Sequence, residues 1–187
     1  MQQPDNLAAI DLGSNSFHMV VAWQDQGEVR VLESLSEKVQ LGAGLDRDNR
    51  LDEDTQARAL ECLARFAQRI TGIPRGKVRI VGTNTLRMAR NADAFIRRAE
   101  QVLGHDIDIV AGREEARLIY LGVAHSLADD PGPRLVVDIG GGSPELTIGA
   151  RFDALATDSL HIGCVSYARR FVPHGQDRRR AFRRARA

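Results

Sequence analysis

Two short turns in this 187-residue chain carry the residue types that phosphate chemistry needs. The first is Asp11-Leu12-Gly13-Ser14-Asn15-Ser16, and the second is Asp138-Ile139-Gly140-Gly141-Gly142-Ser143. Each follows a short apolar run, and each starts with an aspartate, an aliphatic residue and a glycine. Glycine lets consecutive backbone N–H groups point inward together, and such a nest binds phosphate oxygens. Asp11 and Asp138 at the strand ends suit magnesium, a hard cation that takes carboxylates, waters and phosphate oxygens. Taken singly, either turn could equally be an ordinary hairpin with its aspartate capping local amides. The pair, 127 positions apart in the same context, predicts a duplicated unit whose copies face each other across a cleft.

Other candidates lie close to these turns or after strands. Glu145 follows the second turn directly, and reads either as a metal-linked, water-positioning carboxylate or as a solvated edge residue. Thr83-Asn84-Thr85-Leu86-Arg87 reads as a loop after a strand, where Arg87 could offer a planar fork to phosphate or pair with a nearby acid. Arg113-Glu114-Glu115-Ala116-Arg117 opens a helix. A glutamate there is either a helix-dipole partner or a general base for water attack on phosphorus, and periodicity does not choose between Glu114 and Glu115. The five histidines lack zinc-site spacing. Cys164 has no partner histidine at convincing spacing, so a buried structural thiol is expected.

The elements that must position these residues follow from apolar patterning. Leu7–Ile10, Phe17–Trp23 and Val29–Leu35 predict an antiparallel meander, with a turn at Gln26-Gly27. Asp52 caps a helix closed by Gly72 and Pro74. Strands at 78–81 and 107–110 then alternate with helices at 91–103 and 113–127. Asp129–Pro133 is the one clear linker, and a mixed sheet with flanking helices results.

Composition excludes several classes. Hydrophobic residues make up 43% and charged residues 27%, the balance of a globular protein rather than a disordered one. No stretch approaches the ~18 apolar residues of a membrane span, and no secretory signal is visible. Two distant cysteines make no disulfide framework, so the cytoplasm is the expected compartment. The formal charge of +1 divides unevenly: from Arg169 onward there are eight arginines against Asp177, and the body before them is acidic.

As a set, Asp11–His18, Gly82–Arg87, Arg113–Ile119, Asp138–Ser143 and Gly163-Cys164-Val165-Ser166 closely resemble the exopolyphosphatase and guanosine pentaphosphate phosphohydrolase family, over residues 7 to about 168. Asp11–His18 and Arg113–Ile119 look most like the exopolyphosphatase branch. The resemblance implies an α/β fold built of ribonuclease-H-like lobes, as in actin, sugar kinases and heat-shock ATPases. On that plan 1–127 is the first lobe, 128–168 the opening of an incomplete second lobe, and 169–187 an Arg-rich tail outside the family pattern. It implies a phosphoanhydride hydrolase using Mg²⁺ and no covalent intermediate, with Glu115 as base and Glu145 as water-positioning carboxylate. Asp138 and Asp11 would serve the metal, and Ser14, Asn15, Arg87, Gly140, Gly141, Ser143 and Cys164 the phosphate. Polyphosphate is the leading expected substrate and guanosine pentaphosphate the alternative; a catalytically inactive binding fragment is the reading of another class. No nucleic-acid or membrane partner is expected. Pro144 stands where the family usually has Thr, removing an amide and a hydroxyl beside the nest, so weaker phosphate binding is expected. An unfinished lobe would leave an apolar sheet face uncovered, so self-association, possible as a homodimer, is also expected.

Overall fold

The computed structural model describes residues 5–25, 28–128, 130–171 and 183. The chain divides into two compact units at Ile109/Val110.

The first unit opens with strands β1 (Asp5–Leu12), β2 (Phe17–Asp25) and β3 (Glu28–Glu37), the expected meander; its Gln26-Gly27 turn lies outside the described residues. Helix α1 (Glu53–Arg69) follows, its Asp52 cap accepting a hydrogen bond from the Thr55 amide at 2.7 Å. Glu53 and Asp54 in its first turn add a favourable charge to the exposed helix dipole. Strand β4 (Val78–Gly82) leads into α2 (Asn84–Met88), then α3 (Ala92–Leu103) and the two-residue β5 (Asp108–Ile109). Residues 83–87 are therefore not the loop expected: the strand turns directly into a short helix, with the Arg87 amide bonded to the Thr83 carbonyl at 3.1 Å. The strand expected at 107–110 shrinks to two residues because only Asp108 and Ile109 find partners on β4.

The sheet order is β3-β2-β1-β4-β5, with β1 antiparallel to β2 and parallel to β4. One face of β1 and β2, formed by Ala8, Ile10, Leu12, Met19 and Val21, is buried. It joins Val78 and Ile80 of β4, Leu63 and Phe66 of α1, and Phe95 and Ala99 of α3 in a single apolar core.

The second unit contains α4 (Gly112–Ser126), an antiparallel sheet of β6 (Pro133–Ile139), β7 (Pro144–Ala150) and β8 (Asp153–Ser159), and α5 (Cys164–Phe171). Helix α4, assigned to the first lobe by its place in sequence, packs on this sheet. Its Ala116 carbonyl accepts from the Thr147 hydroxyl at 3.0 Å, and its Tyr120 hydroxyl donates to the Arg151 carbonyl at 3.1 Å. Most of the Arg-rich tail lies outside the described residues. The mixed sheet with flanking helices expected of a ribonuclease-H-like lobe is present in the first unit, and the second carries three strands of the same plan.

Candidate functional site

The two turns share one backbone design. Leu12 pairs with Phe17 across the first, and Ile139 with Pro144 across the second, the same register 127 residues apart. At Gly13 a Cβ would lie 2.7 Å from the Ser16 carbonyl oxygen; at Gly140 it would lie 2.5 Å from that of Ser143. Only glycine fits either position, because the strand doubles back onto its own carbonyl three residues on. The internal echo read in the sequence is thus an echo of backbone geometry.

In the first unit the turn is tied down from two sides. The Ser14 hydroxyl, buried, accepts from the Thr85 hydroxyl of α2 at 2.8 Å. The Ser14 and Asn15 carbonyls accept from the amides of Gly42 and Gln40, each at 2.8 Å. Helix α2 thereby stands beside the turn and carries Arg87, which is half-buried. Asn15 donates from its side-chain amide to the Ser16 hydroxyl at 3.4 Å. Asp11, half-buried, is the penultimate residue of β1, opposite His18. Ser14, Asn15 and Arg87 therefore cluster at one end of this sheet, with Thr85 as a supporting hydroxyl that sequence reading did not single out.

In the second unit the glycine turn is organised by α5. The amides of Cys164, Val165 and Ser166 donate to the carbonyls of Gly140 and Gly141 at 2.8–3.3 Å, and the Gly163 amide donates to Gly142 at 3.2 Å. The Ser166 hydroxyl adds a bond to the Gly142 carbonyl at 3.0 Å. The helix N-terminus has taken the turn's carbonyls and the Gly140 amide bonds the Ser143 carbonyl, so an anion would meet the amides of residues 141–143. A Cβ on Gly163 would fall on the backbone of Gly141 and Gly142, so the close approach itself needs glycine. Cys164 corrects the expectation of a buried thiol: its side chain is exposed, and its contribution to the turn is the backbone amide. The sequence signal for this clamp was the Gly163–Ser166 run, where attention fell on the sulfur rather than on the backbone.

Glu145 is 2% exposed, which removes the solvated-edge alternative. Its Oε1 accepts from the Ser143 hydroxyl at 2.5 Å and from the Ser159 hydroxyl at 2.8 Å. Asp138, exposed, pairs with it directly across β6 and β7, so both carboxylates share one sheet face. Two oxygen donors on one face fit a hard cation that keeps several waters and takes the rest of its shell from phosphate. Among the described residues no group of three or more His, Cys, Asp or Glu side chains comes together, so a closed all-protein cage is not part of this arrangement.

Helix α4 pairs the first of its two glutamates with an arginine. Glu114 is held by the Arg117 guanidinium through two bonds of 2.7 and 2.8 Å, and this pairing lowers its pKa below the ordinary carboxylate value. A carboxylate so paired is a poor proton acceptor. Glu114 and Glu115 are both half-buried, and Glu115 precedes the carbonyl of Ala116 that Thr147 anchors onto the Glu145 face of β7. Glu114 is thus engaged in an ion pair, and it is the family resemblance that gives the role of base to Glu115. Pro144 begins β7, where its missing amide breaks no ladder bond, and its carbonyl accepts from the Leu160 amide at 3.0 Å.

Comparison with known proteins places these features. Residues 20–187 match the Ppx/GppA phosphatase family. A guanosine-5'-triphosphate,3'-diphosphate pyrophosphatase of Vibrio cholerae is 52% identical over 171 residues, covering 91% of this chain and 34% of that protein. One of Aliivibrio fischeri is 51% identical over 164 residues, covering 88% and 33%. The chain thus spans about a third of the length of these curated relatives. Those names correspond to the alternative substrate read in the sequence rather than to the leading one. Among solved structures, an exopolyphosphatase from Cytophaga hutchinsonii superposes with a TM-score of 0.84 at 29% identity, covering 90% of this chain and 54% of that one. The Aquifex aeolicus PPX-GPPA enzyme gives 0.79 at 29% identity, covering 98% and 61%. With nine-tenths of its length matched, a duplicated glycine turn and the fold of these enzymes, this chain belongs to the Ppx/GppA phosphatase family.

Proposed function

We infer that the protein hydrolyses the terminal 5′ phosphoanhydride of guanosine-5′-triphosphate,3′-diphosphate, with Mg²⁺ as cofactor. The observation that carries the reading is the Glu145 cluster. A buried carboxylate held by two serines stands beside a glycine turn whose carbonyls are occupied by α5. The names of the curated relatives support the guanosine substrate over polyphosphate. Polyphosphate remains the second reading, favoured by the likeness to the Cytophaga hutchinsonii exopolyphosphatase.

In this mechanism the amides of residues 141–143 hold the terminal phosphate and stabilise charge developing on its oxygens, the Gly140 amide being bonded to the Ser143 carbonyl. Asn15 and Arg87 take the phosphate roles that the family resemblance gives them, Arg87 as a planar two-point donor. Glu115 accepts the proton of the attacking water, and Glu145 orients that water through its second oxygen. Asp138 and Glu145 would hold the metal, which when bound would supply charge neutralisation at the phosphate oxygens, and Asp11 keeps the metal-serving role that the family resemblance gives it. The cytoplasm is the proposed site of action. No described helix is long and apolar enough to cross a membrane.

Orthophosphate release from guanosine pentaphosphate and from polyphosphate, each with and without Mg²⁺, tests the reading. Glu115→Gln is expected to lower kcat by about 10²- to 10⁴-fold, the usual weight of a general base. Equal release by wild type and Glu115→Gln would remove Glu115 from the mechanism. Tight binding of either ligand without release would favour a binding fragment instead.

A further inference from the structure

The Glu145 carboxylate is held asymmetrically. Both of its hydroxyl partners, Ser143 at 2.5 Å and Ser159 at 2.8 Å, donate to the same oxygen, Oε1. The other oxygen, Oε2, faces the glycine turn, 3.7 Å from where a Cβ on Gly140 would stand. Ser143 belongs to that turn, so its bond moves with the turn. Ser159 does not: it ends β8 and is the cross-strand partner of Glu145 in the ladder. Asp138, Glu145 and Ser159 thus form one row across the three strands, with the carboxylate in the centre and a hydroxyl fixed behind it.

We propose that Ser159 is a positioning residue that locks the Glu145 carboxylate with Oε2 aimed at the phosphate turn. A carboxylate fixed by one donor can swing about its last torsion, which is broad and roughly two-fold. A second donor on the same oxygen, carried by a separate strand, removes that freedom. The Ser159 hydroxyl bonds to Glu145, and it is through that carboxylate that it acts. Supporting groups of this kind are worth about 10- to 100-fold when removed. The inference rests on the proposed hydrolysis, and it assigns a role in that reaction to a residue outside the turn motifs.

The test compares wild type, Ser159→Ala and Ser159→Thr. Ser159→Ala is expected to lower kcat for guanosine pentaphosphate about tenfold while KM changes less than twofold, because the amides that bind phosphate are untouched. Ser159→Thr, which keeps the hydroxyl, is expected to restore most of kcat. An Ala variant at the wild-type rate, a loss confined to KM, or equal losses in Ala and Thr would each overturn the role. The carboxyl ¹³C resonance of Glu145, assigned by its disappearance in Glu145→Gln, gives a readout without turnover. It is expected to move in Ser159→Ala and return in Ser159→Thr. If wild type hydrolyses neither substrate, the functional reading fails by itself. The resonance then decides Ser159 alone, and an unmoved signal overturns the proposal.

Discussion

The hairpin β1–β2 and the hairpin β6–β7 have the same turn and the same register, yet they bury opposite faces. In the first, Ala8, Ile10 and Leu12 are 5%, 1% and 0% exposed. Their counterparts 127 residues later, Leu135, Val137 and Ile139, are 63%, 48% and 79% exposed. The other face reverses the pattern: His18 is exposed, whereas Glu145, at the same place in the second hairpin, is buried with Thr147 and Gly149 against α4. The turn is set locally, by glycines that permit close backbone approach, and so it survives in both units. Which face is buried depends on what packs there. In the first unit α1 and α3 cover the aliphatic face. In the second, Leu135, Val137 and Ile139 stay exposed, and the face that packs carries the small or polar Glu145, Thr147 and Gly149, met by Tyr120 of α4.

The largest expected effect follows from that reversal. Ile10→Ala should destabilise the first unit by about 3 kcal/mol, the cost of a cavity in a close-packed core. The equivalent change Val137→Ala should cost less than about 0.5 kcal/mol, as at an exposed position. Denaturant titration read by amide exchange in each unit checks both. A large cost for Val137→Ala would mean that this face is covered in solution.

What would cover it is addressed by association. Leu135, Val137, Ile139 and Ile148 share an exposed apolar face, the kind of surface that promotes self-association. The chain should elute above its 20.6 kDa mass, with concentration dependence, and the double change Val137→Lys with Ile139→Lys should return it towards a monomer. A single monomeric peak for wild type at all concentrations would show that the face tolerates water.

The parts of this molecule legible in sequence are those fixed by short-range rules. The Asp52 cap, the strand at 78–82 and both glycine turns follow from capping, alternation and turn chemistry, and they stand where expected. Tertiary choices were not legible. Nothing in Thr83–Arg87 says that its amides would close a helical turn, since five residues carry too little periodicity. The burial of Glu145 depends on α4 lying across β7, and the clamp on the glycine turn depends on α5 returning to it. Ser159 had no signal at all, because its partner is 14 residues away and reached only through the β7–β8 register.

The two cysteines give a third contrast. Cys62 is buried in the first unit, and burial pushes its thiol pKa up to about 12, whereas Cys164 is exposed. At pH 8 iodoacetamide should alkylate Cys164 quickly, and Cys62 about a thousandfold more slowly until the unit unfolds. The sign follows for stability as well. A thiol whose folded pKa is raised contributes below its unfolded pKa, and the contribution is lost as pH rises through the folded value. Equal labelling of both cysteines under native conditions would show that the first unit opens readily.

The smallest effect separates two ion pairs. Glu37 accepts two bonds from the Arg65 guanidinium, one of them 2.9 Å from Nε, and this pairing holds its pKa below the ordinary carboxylate value. Glu114 is lowered in the same way by Arg117, but its side chain is 44% exposed against 32% for Glu37, and the pair lies within one helical turn. A lowered carboxylate pKa contributes stability above the unfolded value, and that contribution is lost as pH falls through the folded one. Glu37→Gln should therefore lower the melting temperature slightly at pH 7, and the difference from wild type should vanish in acid. Glu114→Gln should leave it unchanged, because a solvated i, i+3 pair is screened and costs side-chain entropy to hold. A larger loss for Glu114→Gln than for Glu37→Gln would mean that Arg117 is needed for more than this surface pair.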